Sequence, residues 1–228
     1  MINVIANNLA HIQQRIGEYE KKYAKPSSSV RLLAVSKGQS LEKIHQAMAA
    51  GQHYFGENYL QEALDKITTI HNNNIAWHFI GQVQSNKTRK IAEHFSWVHS
   101  VCDPDIAQRL NDQRPPHLPP LSICIQVKIS QETAKAGAEF DHVLSLAEYC
   151  ATLPNLRLRG LMAIPVITQH FIEQRAEYYK LRLMHELLYN HGLHLDTLSM
   201  GMTHDMEAAI AENSNMVRIG SGIFGDRK

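Results

Sequence analysis

Cysteine is scarce in this chain: Cys102, Cys124 and Cys150 are the only three in 228 residues. The count is odd and no pair has CxxC spacing, so neither a disulfide framework nor a structural zinc site is expected, and a reducing compartment fits best. Charge imbalance is also missing. The formal net charge is +1, which supplies no global field for nucleic acid or an anionic membrane. Any anionic ligand must then be caught by a local site. The start, MINVIANNLAHIQQRI, is not patterned as a signal peptide, and no apolar run is long enough to span a bilayer, so a cytoplasmic protein is expected. The 14 histidines are scattered, with no HExxH and no Cys/His cluster, and no metal is expected. Repeats and low-complexity tracts are absent as well.

What remains is the composition of an ordinary soluble domain, 44% hydrophobic and 20% charged. Ile2, Ile5, Leu9, Ile12 and Ile16 alternate by three and four, one face of an amphipathic helix that runs to about Tyr23 and stops at Lys25-Pro26-Ser27-Ser28-Ser29. After it a rhythm sets in. Short apolar runs at 30–36, 53–57, 77–81, 97–101, 121–129, 156–164, 196–202 and 216–225 alternate with helical stretches at 41–51, 58–70, 85–95, 103–113, 139–153, 171–190 and 205–213. Gly51 reads as a helix stop; Asp103 followed by Pro104 reads as an N-cap and first helical residue.

Regular alternation argues for parallel βαβ units, and eight of them argue for a closed (β/α)8 TIM-type barrel, here with an extra N-terminal helix over residues 1–25. An open doubly wound sheet would call for a phosphate-binding turn after an early strand, and neither GxGxxG nor GxxxxGK[ST] occurs there. The pattern accounts for residues 1–228 as a single barrel domain.

A barrel places its active site at the C-terminal strand ends, often with a phosphate site after the seventh and eighth strands. The seventh run ends in Ser199-Met200-Gly201-Met202 and the eighth holds Arg218-Ile219-Gly220-Ser221-Gly222. Glycines admit a ligand close to the backbone, consecutive N–H groups can form an anion nest, and Arg218, Ser199 and Ser221 add donors. Taken alone, the same glycines could simply close the barrel. Lys37 follows VRLLAVS, at the C-terminal end of the first strand, which pairs with the eighth in a closed barrel. Its amine is therefore expected in the same mouth, where desolvation favours the neutral form that attacks an aldehyde. A lone strand-end lysine is more often a solvated cap. Glu57 and Asn58, His78 and Gln82, and Met162 are further mouth candidates. Lys87, Arg89 and Lys90 read as a solvated helix face, and Arg157 and Arg159 as an ion-pair layer at the barrel bottom.

The blocks AVSK (34–37), FGENYLQEALDK (55–66), WHFIGQVQSNK (77–87), LRGLMAI (158–164), LSMGMTHDMEAAI (198–210) and VRIGSGIFG (217–225) occur in order from about Val30 onward. Together they resemble the pyridoxal-phosphate homeostasis protein family. The resemblance implies a barrel like the N-terminal domain of alanine racemase, with pyridoxal 5′-phosphate carried as a Schiff base on Lys37. It implies that Ser199, Met200, Arg218, Gly220 and Ser221 hold the phosphate and that Asn58, His78 and Met162 lie near the ring. It further implies a cofactor carrier in vitamin B6 homeostasis without robust catalysis, in transient contact with pyridoxal-phosphate-dependent apoenzymes, and a second lysine, Lys135, that could help hand cofactor on; a monomer is expected because the sequence shows no long coiled coil or paired domain. Two departures stand out: Gly38-Gln39-Ser40 replaces the family's Thr-Lys-Pro-like stretch, and Val83 replaces a usual leucine. A pyridoxal-dependent amino-acid racemase is the alternative, disfavoured because the barrel uses up the chain. A cofactor-free Schiff-base aldolase would explain the lysine but not a phosphate nest.

Overall fold

The computed structural model describes residues 3–130, 136–166 and 168–225. Eight parallel strands close on themselves in sequence order. They are β1 (Arg31–Val35), β2 (Tyr54–Glu57), β3 (Ala76–Phe79), β4 (Trp97–Val101), β5 (Leu121–Gln126), β6 (Leu156–Met162), β7 (Thr197–Ser199) and β8 (Met216–Ile219). Between them run α2 (Leu41–Ala49), α3 (Leu60–Ile70), α4 (Thr88–His94), α5 (Pro104–Gln113), α6 (Val143–Ala151), α7 (Phe171–Asn190) and α8 (Met206–Ala211), preceded by α1 (Val4–Lys22) and followed by a one-turn helix, α9 (Ser221–Phe224). The seam is β1 against β8, with Leu33 opposite Arg218 and Ala34 opposite Ile219.

Strand period two sorts the side chains into layers. Leu33, Val35, Ile80, Trp97, Cys124, Met162 and Met216 form one buried cluster inside the barrel. Their alternates, such as Leu32, Ala34, Val98, Ile123, Ile125, Leu161, Leu198, Val217 and Ile219, pack in the larger cluster shared with the helices. Strands of a closed barrel are covered on both faces, and β5 is buried at every position, Leu121, Ile123 and Ile125 on one face and Ser122, Cys124 and Gln126 on the other.

Helix α1 begins at an Asn3 cap that accepts from Ala6 N–H at 3.1 Å. Its face of Ile5, Leu9, Ile12 and Ile16 is buried against α2, α8 and α9, each side chain contributing roughly 1.5–3 kcal/mol. Buried Glu20 accepts from Ser28 N–H (3.0 Å) and Val30 N–H (2.8 Å), so the breaker loop is tied down as it turns into β1. Gly51 (φ +89°) follows the Ala50 cap of α2, and Asp103 caps α5 through Asp105 N–H at 2.7 Å.

Three of the differences from the sequence expectation bear on the shape of the barrel mouth. β5 ends at Gln126 rather than Ile129, after which Val127 makes only an isolated bridge to Ala138. β7 is three residues long because Gly201 adopts φ +97° and turns the chain away. Residues 221–224 are helical, not strand: Ile223 and Phe224 N–H groups both bond to Gly220 O. Of the two arginines expected in a bottom ion-pair layer, Arg159 is bonded to both carboxylate oxygens of Asp196 at 2.9 Å and lies over Trp97, while Arg157 is exposed.

Backbone packing between β6 and β7 tolerates no side chain at Gly160, where a Cβ would lie 1.7 Å from Thr197 O. Gly160→Ala is expected to destabilise the barrel by more than ~3 kcal/mol, as a steric insertion that forces paired strands apart. Chemical denaturation measures it, and a loss below ~1 kcal/mol would show that β6 and β7 can separate cheaply.

Candidate functional site

At the top of the seam β1 runs into a tight turn. Gln39 N–H donates to Ser36 O at 3.1 Å, and Gly38 takes φ +70°, the sign a type II turn demands at its third residue. Lys37 is the second residue of that turn and lines a cavity of about 410 Å³. The other side is built by β8 and α9, which contribute Arg218, Gly220 and Ser221. A Cβ on Gly220 would meet Val35 O at 3.2 Å, so glycine lets the end of β8 close against the end of β1. As the first residues of a helix, Ser221 and Gly222 have N–H groups without an intrahelical acceptor, a ready anion seat.

Asn58, just past β2, lines the same cavity. Its Oδ1 is buried with no partner. Asn58 reaches this place because Gly81 opposite lacks a side chain: a Cβ there would sit 2.0 Å from Asn58 O. Val35, Ile80 and Ile164 give the cavity apolar walls.

Below it lies a buried polar chain. Arg218 donates through Nη1 to Ser199 O (2.5 Å) and Ser199 Oγ (2.9 Å), and through Nη2 to Ala163 O (2.9 Å). Ser199 Oγ meets His99 Nδ1 at 2.8 Å, and His99 Nε2 meets His78 Nδ1 at 2.8 Å. One polarity satisfies each contact: Arg218 donates to the Ser199 hydroxyl, which donates to His99, which donates to His78 Nδ1, so that the hydrogen of neutral His78 stands on Nε2. His78 stacks on Trp97 (centroids 5.2 Å apart, planes 6° apart), and its Nε2 is buried without a partner. Burial, reinforced by the Arg218 charge, pushes His99 down to about 3; burial, then His99 and Arg31, holds His78 well below the usual imidazole range. Both rings are neutral at pH 7.

Of the residues expected at the site, Lys37, Asn58, Arg218, Gly220 and Ser221 are brought together around the cavity. Ser199, His78 and Met162 lie in the buried interior and do not line it. Met200 departs furthest: its side chain packs in the outer core and its N–H is bonded to Met216 O, because Gly201 has not yet turned the chain. Gln82 is exposed. Lys135 lies outside the described residues. Lys87, Arg89 and Lys90 are exposed, as a solvated face should be. Among the described residues no cluster of His, Cys, Asp or Glu could hold a metal, and no helix is long and apolar enough to cross a membrane. Met202, Thr203 and His204 line the cavity unforeseen; their place after a strand-seven glycine is the available signal. His99 is a second omission, although a histidine midway along an otherwise apolar strand marks an inward polar layer.

Residues 6–228 match the family described as alanine racemase, N-terminal domain. A pyridoxal phosphate homeostasis protein of Pseudomonas aeruginosa is 51% identical, over 99% of this chain and 97% of that protein. The chain belongs to the pyridoxal phosphate homeostasis protein family. The Escherichia coli K12 member is 46% identical over 99% of this chain and 98% of its own. PipY of Synechococcus elongatus PCC7942, solved with pyridoxal phosphate bound, is 34% identical with a TM-score of 0.85, covering 97% of this chain and all of PipY. An alanine racemase of Clostridium difficile shares the fold at 11% identity (TM-score 0.79), over 99% of this chain but 57% of the racemase.

The histidine chain has a pH signature. Unfolded histidines titrate near 6.5 while folded His78 and His99 stay neutral, so unfolding takes up protons below that pH and stability falls. The loss begins as pH drops through about 6.5 and, for His99, continues to about 3; each such histidine adds a slope of about 1.4 kcal/mol per pH unit within its window. His99→Asn is expected to remove one such increment between pH 6 and 4 in urea titrations at stepped pH. An unaltered slope would mean that His99 protonates in the folded barrel.

Proposed function

We propose that this chain binds pyridoxal 5′-phosphate in the cavity between β1 and β8, anchored on Lys37, and serves vitamin B6 homeostasis by holding and releasing it. One observation carries the reading: Lys37 after β1, and Gly220 and Ser221 after β8, line a single cavity at the seam of two adjacent strands. The residues fit the group. Asn58 Oδ1 is a buried acceptor still lacking a partner. Gly220 leaves room where a side chain would press on β1. The apolar walls suit a flat ring, and the phosphate-bearing relative PipY supports the same ligand.

In this reading Ser221, with the leading N–H groups of α9, takes the phosphate, in the place where barrels commonly hold one. Gly220 contributes by its closeness to β1. Arg218 is already committed to Ser199 and Ala163; its remaining N–H bonds and its charge, directed at the cavity it lines, orient the ring. Ser199 and His78 act through it, fixing where Arg218 stands, and Met162 packs beneath. Val35, Ile80 and Ile164 exclude water from the ring, and Lys37 presents its amine from the corner of its turn. When bound, the cofactor would supply an aldehyde, the electrophile that a primary amine such as that of Lys37 can hold covalently. Transient transfer to apoenzymes completes the carrier role.

A racemase reading draws on His204, a second proton-carrying group in the same cavity as Lys37. Against it, the similarity to alanine racemases is in fold alone, whereas relatives at about half identity are homeostasis proteins. Turnover of L- to D-alanine by wild type but not by His204→Ala would favour it.

The visible spectrum of protein loaded with pyridoxal phosphate, before and after borohydride, tests the main reading. A yellow band reduced to an adduct on Lys37 is expected, lost in Lys37→Ala while phosphate-anchored binding persists. Arg218→Gln is expected to weaken retention by about tenfold without unfolding, the order of one charge-assisted hydrogen bond. Wild type that stays colourless with excess cofactor would overturn the assignment.

A further inference from the structure

The groups that hold the Lys37 turn come from a neighbouring strand and helix. Glu57 is the last residue of β2, and Glu62 and Lys66 lie one turn apart on α3. Ser36 Oγ donates to Glu57 Oε1 at 2.6 Å, and Gly38 N–H donates to Glu62 Oε1 at 2.6 Å. Lys66 Nζ donates to Ser36 O (2.7 Å), Glu57 Oε1 (2.7 Å) and Glu62 Oε1 (2.5 Å), so each of its three N–H bonds has an acceptor. Two carboxylates thus grip the residues on either side of Lys37, and one ammonium joins them.

Stability alone does not account for this arrangement. Glu57 and Lys66 are both buried, and such a pair recovers little more than its desolvation penalty. Glu57 Oε2 is moreover buried with no partner, a further cost that an apolar pair of the same size would avoid. What the cluster supplies is position: three of its five bonds end on residues 36 and 38, and the other two join the carboxylates to the ammonium that binds residue 36.

We infer that Glu57, Glu62 and Lys66 are positioning residues for Lys37, a clamp that fixes the turn so that the amine meets a carbonyl in the cavity in one geometry. The inference rests on the cofactor reading of that cavity, and the test separates the two. Glu62 is partly exposed (30% of its side chain), so Glu62→Ala removes half the grip without emptying the core. Glu57→Gln/Lys66→Met removes both buried charges together, a change that a stability role would make costly and a positioning role would not. Three readouts apply to each variant and to wild type: amide exchange at Gly38 in the ligand-free protein, the rate of borohydride-trapped adduct formation on Lys37 with pyridoxal phosphate, and affinity for pyridoxine 5′-phosphate, which has the ring and phosphate but no aldehyde.

The expected result for Glu62→Ala is Gly38 exchange faster by about tenfold and adduct formation slower by about tenfold, with pyridoxine 5′-phosphate affinity within about twofold of wild type. Glu62→Gln keeps an acceptor for Gly38 N–H and is expected to recover most of the rate. An unchanged adduct rate despite faster exchange would overturn the clamp, and so would equal losses for both ligands, which would mark the cluster as general scaffolding. Should wild type take up neither ligand, the cofactor reading falls, and Gly38 exchange alone upholds or overturns the hold on the turn.

Discussion

Closure of the sheet between β1 and β8 is the constraint from which the site follows. Arg31 pairs with Met216 and Ala34 with Ile219, so the turn after Val35 and the turn after Ile219 must emerge side by side. Lys37 and Ser221, far apart in sequence, become neighbours because of that register, and a slip by one residue would send Arg218 to the outer layer while Ile219 faced the cavity. Closure is also what demands glycine at 220, since that residue lies where β8 presses on Val35 O.

Polarity in the interior is arranged in two tiers. The upper tier lines the cavity and leaves acceptors and donors open, Asn58 Oδ1 among them. The lower tier, Arg218 to Ser199 to His99 to His78, uses nearly all of its hydrogens internally. A guanidinium buried to this extent must be met by fixed acceptors, and carbonyls at the ends of β6 and β7 supply them. Neutral histidines suit the role beneath it, because an imidazolium next to Arg218 would add a like charge in a dry interior.

Much of this was legible in the chain. Strand and helix alternation from Val30 onward points to the barrel, since buried parallel strands leave short, mostly apolar runs such as LLAV (32–35). Lys37, Arg218, Gly220 and Ser221 can be placed in one mouth from strand order alone. Less legible is which face each residue takes once a strand ends. The sequence puts Met200 at the site, yet the turn comes one residue later at Gly201, and the side chain stays with the helices. His99 and the Glu57–Lys66 pair do not announce themselves as working together, because a hydrogen bond between strands leaves no spacing in the sequence. Residues 221–224 read as the end of a strand or a turn after it, because a single helical turn is too short to show a period.

Helix α1 lines no part of the cavity, yet its Asn8 amide donates to Ile223 O at 2.8 Å and Ile12 packs 3.4 Å from where a Cβ on Gly222 would be. It acts as an external strut behind α9. A helix held to the barrel by one face opens locally at lower cost than a strand paired on both sides, and each opening of α1 would leave α9 unsupported. A change at Asn8 or Ile12 would therefore reach α9 from behind, while every residue that lines the cavity is left in place.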